Sequence, residues 1–510
     1  MRYGASADAE GPADTPRGEH ATARAREESG ARGRAAAGRA WLLGGRRARR
    51  SFAGGPLRRV RRIRRTRGRR VRSLAPRHAP DDQHCRAARV APARRPAARR
   101  TYDQDVLVTQ PHPDLPASPW ARHFVLDPEV VFLNHGSFGA CPRPILEAQA
   151  EWRARLEREP VLFLGRQLEG CLDHARAALA AFVRCDPDDL AFVPNATTGV
   201  NTVLRSLRLA PGDELLVTDH EYNACRNALD YVAERSGAQV VVAAVPFPLR
   251  DPLEAVQAIL ARARPRTRLL LVDHVTSQTG MVLPVEKIVR AMAERGIDTL
   301  VDGAHAPGML ELDLRAIGAA YYTGNLHKWV CTPKGSALLY VRRDRQAGIR
   351  PLCISHGANS KRTDRTRFRL EFDFTGTLDP SPWLVVPDAL HFMGSLLPGG
   401  WPALRAHNRE LALAARAVLC AALGVRPPVP DVMIGSLVSL PLPDQRGGPP
   451  RDPHYADALQ ERLFEEHRIE VPVMLWPAPP RRVLRIAAQV YNTLPQYERL
   501  ARVLPELLAF

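Results

Sequence analysis

A lysine flanked by aromatic rings, His327-Lys328-Trp329, and an aspartate 26 positions earlier, Asp302, are the residues of this chain best suited to specific chemistry. Thr299-Leu300-Val301 is a short apolar run that ends in the Asp302 charge, with Gly303, Ala304 and His305 after it. Tyr321-Tyr322-Thr323 is a second β-prone run, leading through Gly324 and Asn325 to Lys328. A lysine desolvated among apolar and aromatic neighbours has a lowered pKa and can attack an aldehyde, as Schiff-base chemistry requires. A carboxylate at a neighbouring strand end can hold the protonated nitrogen of a pyridine ring, the second requirement of that chemistry. The chain has four lysines (Lys287, Lys328, Lys334 and Lys361) among 73 basic residues, so arginine is the rule. A lysine kept at 328 implies that arginine will not serve there.

Such groups converge where an α/β sheet presents them at the carboxyl ends of its strands. Residues 190–193, 214–218, 239–245, 267–272 and 299–301 read as short apolar strands, with helical stretches such as 252–263 between them. This alternation, from 165 to 345, predicts a mainly parallel sheet with helices on both faces. After the first strand, Pro194-Asn195-Ala196-Thr197-Thr198 opens a helix. Its unpaired amides, with the Thr197 and Thr198 hydroxyls, offer either a phosphate site or an ordinary helix cap. The second strand runs into Asp219-His220-Glu221-Tyr222, and the fourth into Asp273 through Gly280, a floor with Thr276 and Ser277 in reach of a ligand.

Upstream, Phe132 to Gly139 joins a short strand to a glycine-bearing loop, and a helical pattern over 144–184 is interrupted near Pro160 and Gly165. Downstream of residue 385 the pattern becomes an α+β tail of about 125 residues, a second and smaller domain. Within it, Val483 to Asn492 reads as a strand with Arg485 near its middle, where a half-buried guanidinium calls for a planar bidentate partner such as a carboxylate.

Taken in order, FLNHGSFGACPRP, VDGAHAPG and GNLHKW resemble the pyridoxal-phosphate enzymes of the class V aminotransferase family, especially its isopenicillin N epimerase-like branch, over roughly residues 120 to 510. The resemblance implies an α/β architecture of fold-type I, with a segment lining the active site at 116–164, a large cofactor-binding domain at 165–384 and a small α+β domain at 385–510. It implies that Lys328 holds pyridoxal 5'-phosphate and, once displaced by the substrate amine, acts as base at the α-carbon. Asp302 then pairs with the ring nitrogen, and His220 stacks on the ring, unless Tyr222 does so. His305 bonds the phenolic oxygen, while Ala196, Thr197, Thr198, Asn325 and His327 surround the phosphate. Thr377, in the Gly/Thr turn of residues 372–380, reaches the neighbouring subunit's phosphate, which makes the active unit a homodimer with shared sites.

By the same resemblance, Asn134 and His135 line the substrate side, and Arg485 takes the substrate α-carboxylate, although Ala487 stands where the family has serine. The activity implied is chemistry at the α-carbon of an amino acid or amino-acid-like substrate. Epimerisation is the leading expectation, with C–S lyase or transaminase chemistry as alternatives. Cysteine desulfuration needs a thiol on a mobile loop ahead of the arginine, and no cysteine follows Cys420.

Composition bounds the remaining classes. The 510 residues are 45% hydrophobic and carry a formal charge of +19, which suggests nucleic acid until the charge is located. Residues 1–100 hold 28 arginines and 8 acidic residues, a net of +20, which leaves 73 − 28 = 45 basic and 54 − 8 = 46 acidic residues beyond them. The globular part is therefore nearly neutral. Runs such as RRVRRIRRTRGRR bury too little apolar surface to offset chain entropy, so residues 1–115 are expected to be disordered. Translation from a later start, for instance at Val71, Val90 or Val106, is the other reading of this arm. A binding protein on the same fold, its arm contacting nucleic acid, would have lost the lysine or the acid, and the arm holds few aromatics for base stacking. No run of about 18 apolar residues exists to span a membrane, and the eight scattered cysteines have no metal-ligand spacing, as in a reduced cytoplasmic protein.

Overall fold

The computed structural model describes residues 115–116, 118–445 and 457–509, so the arginine-rich arm lies outside the described residues up to position 114. All described residues belong to one unit, Ala98–Phe510. In chain order the strands are β1 (Val131–Phe132), β2 (Leu190–Val193), β3 (Glu214–Thr218), β4 (Gln239–Ala243), β5 (Thr267–Asp273) and β6 (Asp298–Asp302). They continue as β7 (Tyr321–Asn325), β8 (Ala337–Val341), β9 (Leu437–Leu442), β10 (Ile469–Glu470), β11 (Val473–Leu475) and β12 (Arg482–Ala487).

Seven of these form one sheet in the order β2-β8-β7-β6-β5-β3-β4. The pairs β3–β4, β3–β5, β5–β6 and β6–β7 are parallel, and β8 runs antiparallel to both its neighbours. Both faces are covered, as near-continuous apolar strands require. Along β5, Leu269 and Leu271 enter the core layer shared with the helices Ala196–Ser206 and Asn223–Ser236. Leu270 and Val272 enter the opposite layer, with Leu168–Val183, Pro252–Leu260 and Val285–Ala293. Parallel pairing aligns the strand ends, so Asp273 sits opposite Asp302, and Asp302 opposite Thr323.

The helical pattern expected over 144–184 resolves into Arg143–Arg158, a short turn Pro160–Leu162, a π-helical turn Phe163–Gln167 and Leu168–Val183. Proline at the start of a new segment accounts for the break, because it cannot donate to the preceding turn. Residues 385–510 contribute the antiparallel sheet β11-β12-β9 and the helices Gly400–Leu423 and Leu494–Ala509. The strand expected through Asn492 stops at Ala487. There the Gln489 amide turns back to the Asn492 side chain at 3.1 Å, which takes the chain out of the ladder. Among the described residues no helix is long and apolar enough to cross a membrane.

The loop expected after Phe132 contains one helical turn, His135–Phe138, and leaves it through Gly139 at φ 73°. A Cβ on Gly139 would stand 2.1 Å from the His327 carbonyl oxygen and 2.9 Å from the Lys328 Cα, so only glycine lets this turn lie against the lysine. Gly139→Ala should destabilise the fold by about 1 to 3 kcal/mol, read as a lowered midpoint of chemical unfolding. An unchanged midpoint would mean that the two turns do not pack as described.

Candidate functional site

Three strand ends deliver the chemistry. Asp302, the last residue of β6, is buried, with Oδ2 accepting from the Cys225 thiol at 3.1 Å and Oδ1 from the Ala304 amide at 2.9 Å. Burial raises its pKa, and these two donors oppose that rise. Lys328 follows β7, its Nζ 3.2 Å from His305 Nε2. Burial, reinforced by the Arg485 charge, lowers the Lys328 amine to about 7, against the pull of Asp302.

The hydrogen bonds assign the proton on His305. The Trp329 indole N–H can only donate, and it lies 3.4 Å from His305 Nδ1, so Nδ1 is the acceptor. Burial keeps this ring neutral, which places its one proton on Nε2, facing the lysine. Lys328 therefore accepts from His305 through the lone pair of an uncharged amine, the form that attacks an aldehyde.

Beside Lys328 opens the helix Ala196–Ser206. Asn195 caps it, its Oδ1 accepting from the Thr198 amide at 2.8 Å and the Thr198 hydroxyl at 3.0 Å. Asn325 Oδ1 accepts from the Ala196 amide at 2.8 Å, which ties the end of β7 to this helix start. His327, two residues further on, shares Nδ1 with the Ser336 carbonyl at 3.0 Å. Ala196, Thr197, Thr198 and Asn325 thus meet at the positive end of a helix, which favours an anion, although the Ala196 and Thr198 amides are already paired within the protein and His327 is placed only against Ser336.

Arg485, on β12, arrives from the far end of the chain. It is buried, donating from Nη2 to Ser137 Oγ at 2.9 Å and from Nη1 to the Ser277 carbonyl, while Nε has no partner. Burial lowers even this guanidinium to about 10. Ser137 in turn donates to Asn134 Oδ1 at 2.6 Å, and Asn134 Nδ2 to Glu470 at 2.9 Å. Asn134 therefore orients the serine that touches Arg485.

His135 is fully buried, with Nε2 donating to the Lys328 carbonyl at 2.9 Å and Nδ1 accepting from the Tyr491 hydroxyl at 2.9 Å. Burial lowers its pKa to about 3, so the ring is a neutral strut under the lysine turn.

His220 is drawn elsewhere. Its Nδ1 pairs with Thr279 Oγ1 at 2.8 Å, its Nε2 with the Val245 carbonyl at 2.9 Å, and its ring packs 4.4 Å from that of Trp476. Tyr222, 44% exposed at the start of the helix Asn223–Ser236, keeps a free ring, and the Arg485 and Asp302 charges both act on its hydroxyl. Thr377 is exposed on a bend after the helix Arg367–Phe372.

Sequence reasoning missed Cys225, Glu221, Ser137 and Tyr491. The first two had a signal, since polar residues in the first helical turn after a strand end face the ligand edge. Tyr491 had none, because its contact with His135 spans 356 positions.

Comparison with known proteins gives four results. The family model described as aminotransferase class-V matches residues 144–440. Isopenicillin N epimerase of Amycolatopsis lactamdurans is 38% identical over 408 residues, 77% of this chain and 99% of the relative. A probable chloroplastic L-cysteine desulfhydrase of Arabidopsis thaliana is 31% identical over 73% of this chain and 82% of its own length. Among solved structures, a C-DES mutant with glycine covalently linked to its PLP cofactor shares the fold at a TM-score of 0.62 and 23% identity, covering 75% of this chain and 97% of that one.

The geometry around Lys328 sets a pH dependence. Capture of pyridoxal phosphate by cofactor-free protein, followed by absorbance, should speed up as pH rises through about 7 and level off above it. Only the neutral amine attacks, so a rate still climbing toward the ordinary lysine range of about 10.4 would mean a solvated amine.

Proposed function

Since the chain belongs to the class V aminotransferase family, a pyridoxal-phosphate-dependent family, we propose that it acts at the α-carbon of an amino acid or amino-acid-like substrate, as an isopenicillin N epimerase-like enzyme. The observation that carries this reading is the neutral Lys328 amine held by His305 beside buried Asp302. The residues fit the cofactor: an uncharged lysine for its aldehyde, a hydrogen-bonded acid for its ring nitrogen and a helix start for its phosphate.

When bound, the ring withdraws electrons from the substrate's α-carbon and so makes its proton acidic. Asp302 keeps a negative charge opposite the ring nitrogen, with the Cys225 thiol and Ala304 amide fixing its orientation. His305, by its proton on Nε2, serves the phenolic oxygen and the lysine in turn. Asn325, His327, Thr197 and Thr198 would hold the phosphate, and Tyr222, rather than the caged His220, would face the ring. Arg485 takes the substrate carboxylate, its free Nε and Nη groups oriented by Ser137 and the Ser277 carbonyl. Lys328, as a neutral amine beside the substrate, would take the α-proton.

Return of that proton to the other face of the α-carbon gives epimerisation. The identity to isopenicillin N epimerases supports this outcome, and that to a named cysteine desulfhydrase supports loss of a sulfur group as the second reading. The exposed turn bearing Thr377 fits a homodimer in which it completes the neighbour's phosphate site. The seven described cysteines are all free, which fits a cytoplasmic enzyme.

Incubation of the purified protein with a panel of L- and D-amino acids in deuterated water separates these outcomes. Deuterium at the α-carbon with loss of optical purity is expected. Release of sulfide from cysteine without racemised amino acid would replace the epimerase reading by the lyase one, and absence of both exchange and sulfide would end both. Arg485→Lys should raise KM for carboxylate substrates roughly tenfold to a hundredfold, because one ammonium replaces a planar pair of charge-assisted bonds. An equal loss with substrates lacking the carboxylate would assign the arginine another role.

A further inference from the structure

Behind Asp302 lies a group of acids that the mechanism above does not use. Glu221 is 7% exposed, and neither of its carboxyl oxygens has a hydrogen-bond partner. Asp273, paired with Asp302 across β5 and β6, is 3% exposed, and its Oδ2 is also without a partner. The carboxyl oxygens of Glu221 and Asp302 and the Cys225 sulfur all lie within 4.8 Å of one another. Glu221 and Asp302 so close together, with Asp273 buried on the adjoining strand end, cannot all be ionised, because each like charge in a dry environment opposes the next.

Hydrogen bonds decide which acid keeps the charge. A carboxylate is stabilised by donors aimed at it, and Asp302 has two, the Cys225 thiol and the Ala304 amide. The Tyr222 amide and the Cys225 thiol also face Glu221 and pull it the other way, but the thiol has one proton, which it gives to Asp302 at 3.1 Å, and neither Glu221 oxygen has a partner in bonding geometry; Arg226, Asp302, Asp273 on the neighbouring strand end and Lys328 beyond complete its surroundings.

We propose that Glu221 is a positioning residue held as the neutral acid, its carboxyl filling the space behind Asp302 and Cys225 so that a single negative charge stays on Asp302, facing the ring nitrogen. The proposal rests on the assignment of Asp302 to that nitrogen. Burial, followed by the Asp302 charge, raises Glu221 well above its ordinary range, and burial together with the same Asp302 charge raises Asp273. The sign of the linkage follows: a carboxyl that stays protonated only in the folded state contributes stability at acid pH that is lost as pH rises past the point where the unfolded chain ionises.

Glutamine copies the neutral acid in shape and charge, whereas alanine leaves the space open to water. With the full-length protein carrying pyridoxal phosphate, Glu221→Ala should weaken cofactor retention on the order of tenfold and shift the pH midpoint of the visible absorption band, and Glu221→Gln should restore most of both. The Glu221→Gln protein should also gain unfolding midpoint over wild type as pH rises from 4 to 8, by a few degrees, with the two coinciding at the acid end. Parallel wild-type and glutamine curves, or a glutamine variant that loses cofactor and spectrum as alanine does, would overturn the proposal. Asp302→Asn serves as the separate control: cofactor retention and spectrum unchanged by it would remove Asp302 from the ring nitrogen, while a wild-type and glutamine divergence with pH would still report a neutral Glu221.

Discussion

Removing the Lys328 amine from water opposes its charge more strongly than Asp302 can restore it, and the surrounding structure is arranged around that uncharged form. Trp329 sets the tautomer of His305, and His305 donates to the amine. His135 holds the lysine's own carbonyl from below. Each of these histidines is itself buried and neutral, so the site gains directed hydrogen bonds without adding cations beside Arg485.

That arrangement depends on three parts of the chain that are distant in sequence. The turn His135–Phe138 meets the lysine through Gly139, and β12 brings Arg485 against Ser137. The same strand is fastened to the N-terminal segment where the Ala487 amide reaches the Leu133 carbonyl at 2.9 Å, and Asn492 reaches that of Phe132 at 3.0 Å. Ser439 on β9 bonds the Gln278 carbonyl at 2.7 Å, next to the Ser277 carbonyl that receives Arg485. The tail therefore carries Arg485 and also holds in place the loops that orient it.

Relatives named for epimerisation and for cysteine desulfhydration cover 77% and 73% of this chain. A buried amine and a hydrogen-bonded acid serve either outcome, since both begin with loss of the α-proton. The choice between them belongs to groups around the substrate's side chain and to the return path of the proton.

Much of the fold could be read along the chain, because continuous apolar runs such as Leu269 to Val272 and the helix opening at Asn195 are local patterns. Adjacency of Asp302 and Lys328 was also legible, since consecutive parallel strands align their carboxyl ends. The roles of His135 and Asn134 were not, because Tyr491 and Glu470, which engage them, lie more than 300 positions away. Spacing alone left His220 and Tyr222 equivalent, and the difference came from Trp476, Thr279 and the Val245 carbonyl closing around the histidine. The sequence by itself determined which groups stand at the ends of the strands, as that is a matter of local pattern. Which of them are buried, paired or left without a donor was decided only when distant segments packed together, because hydration and hydrogen-bond supply are properties of the whole fold.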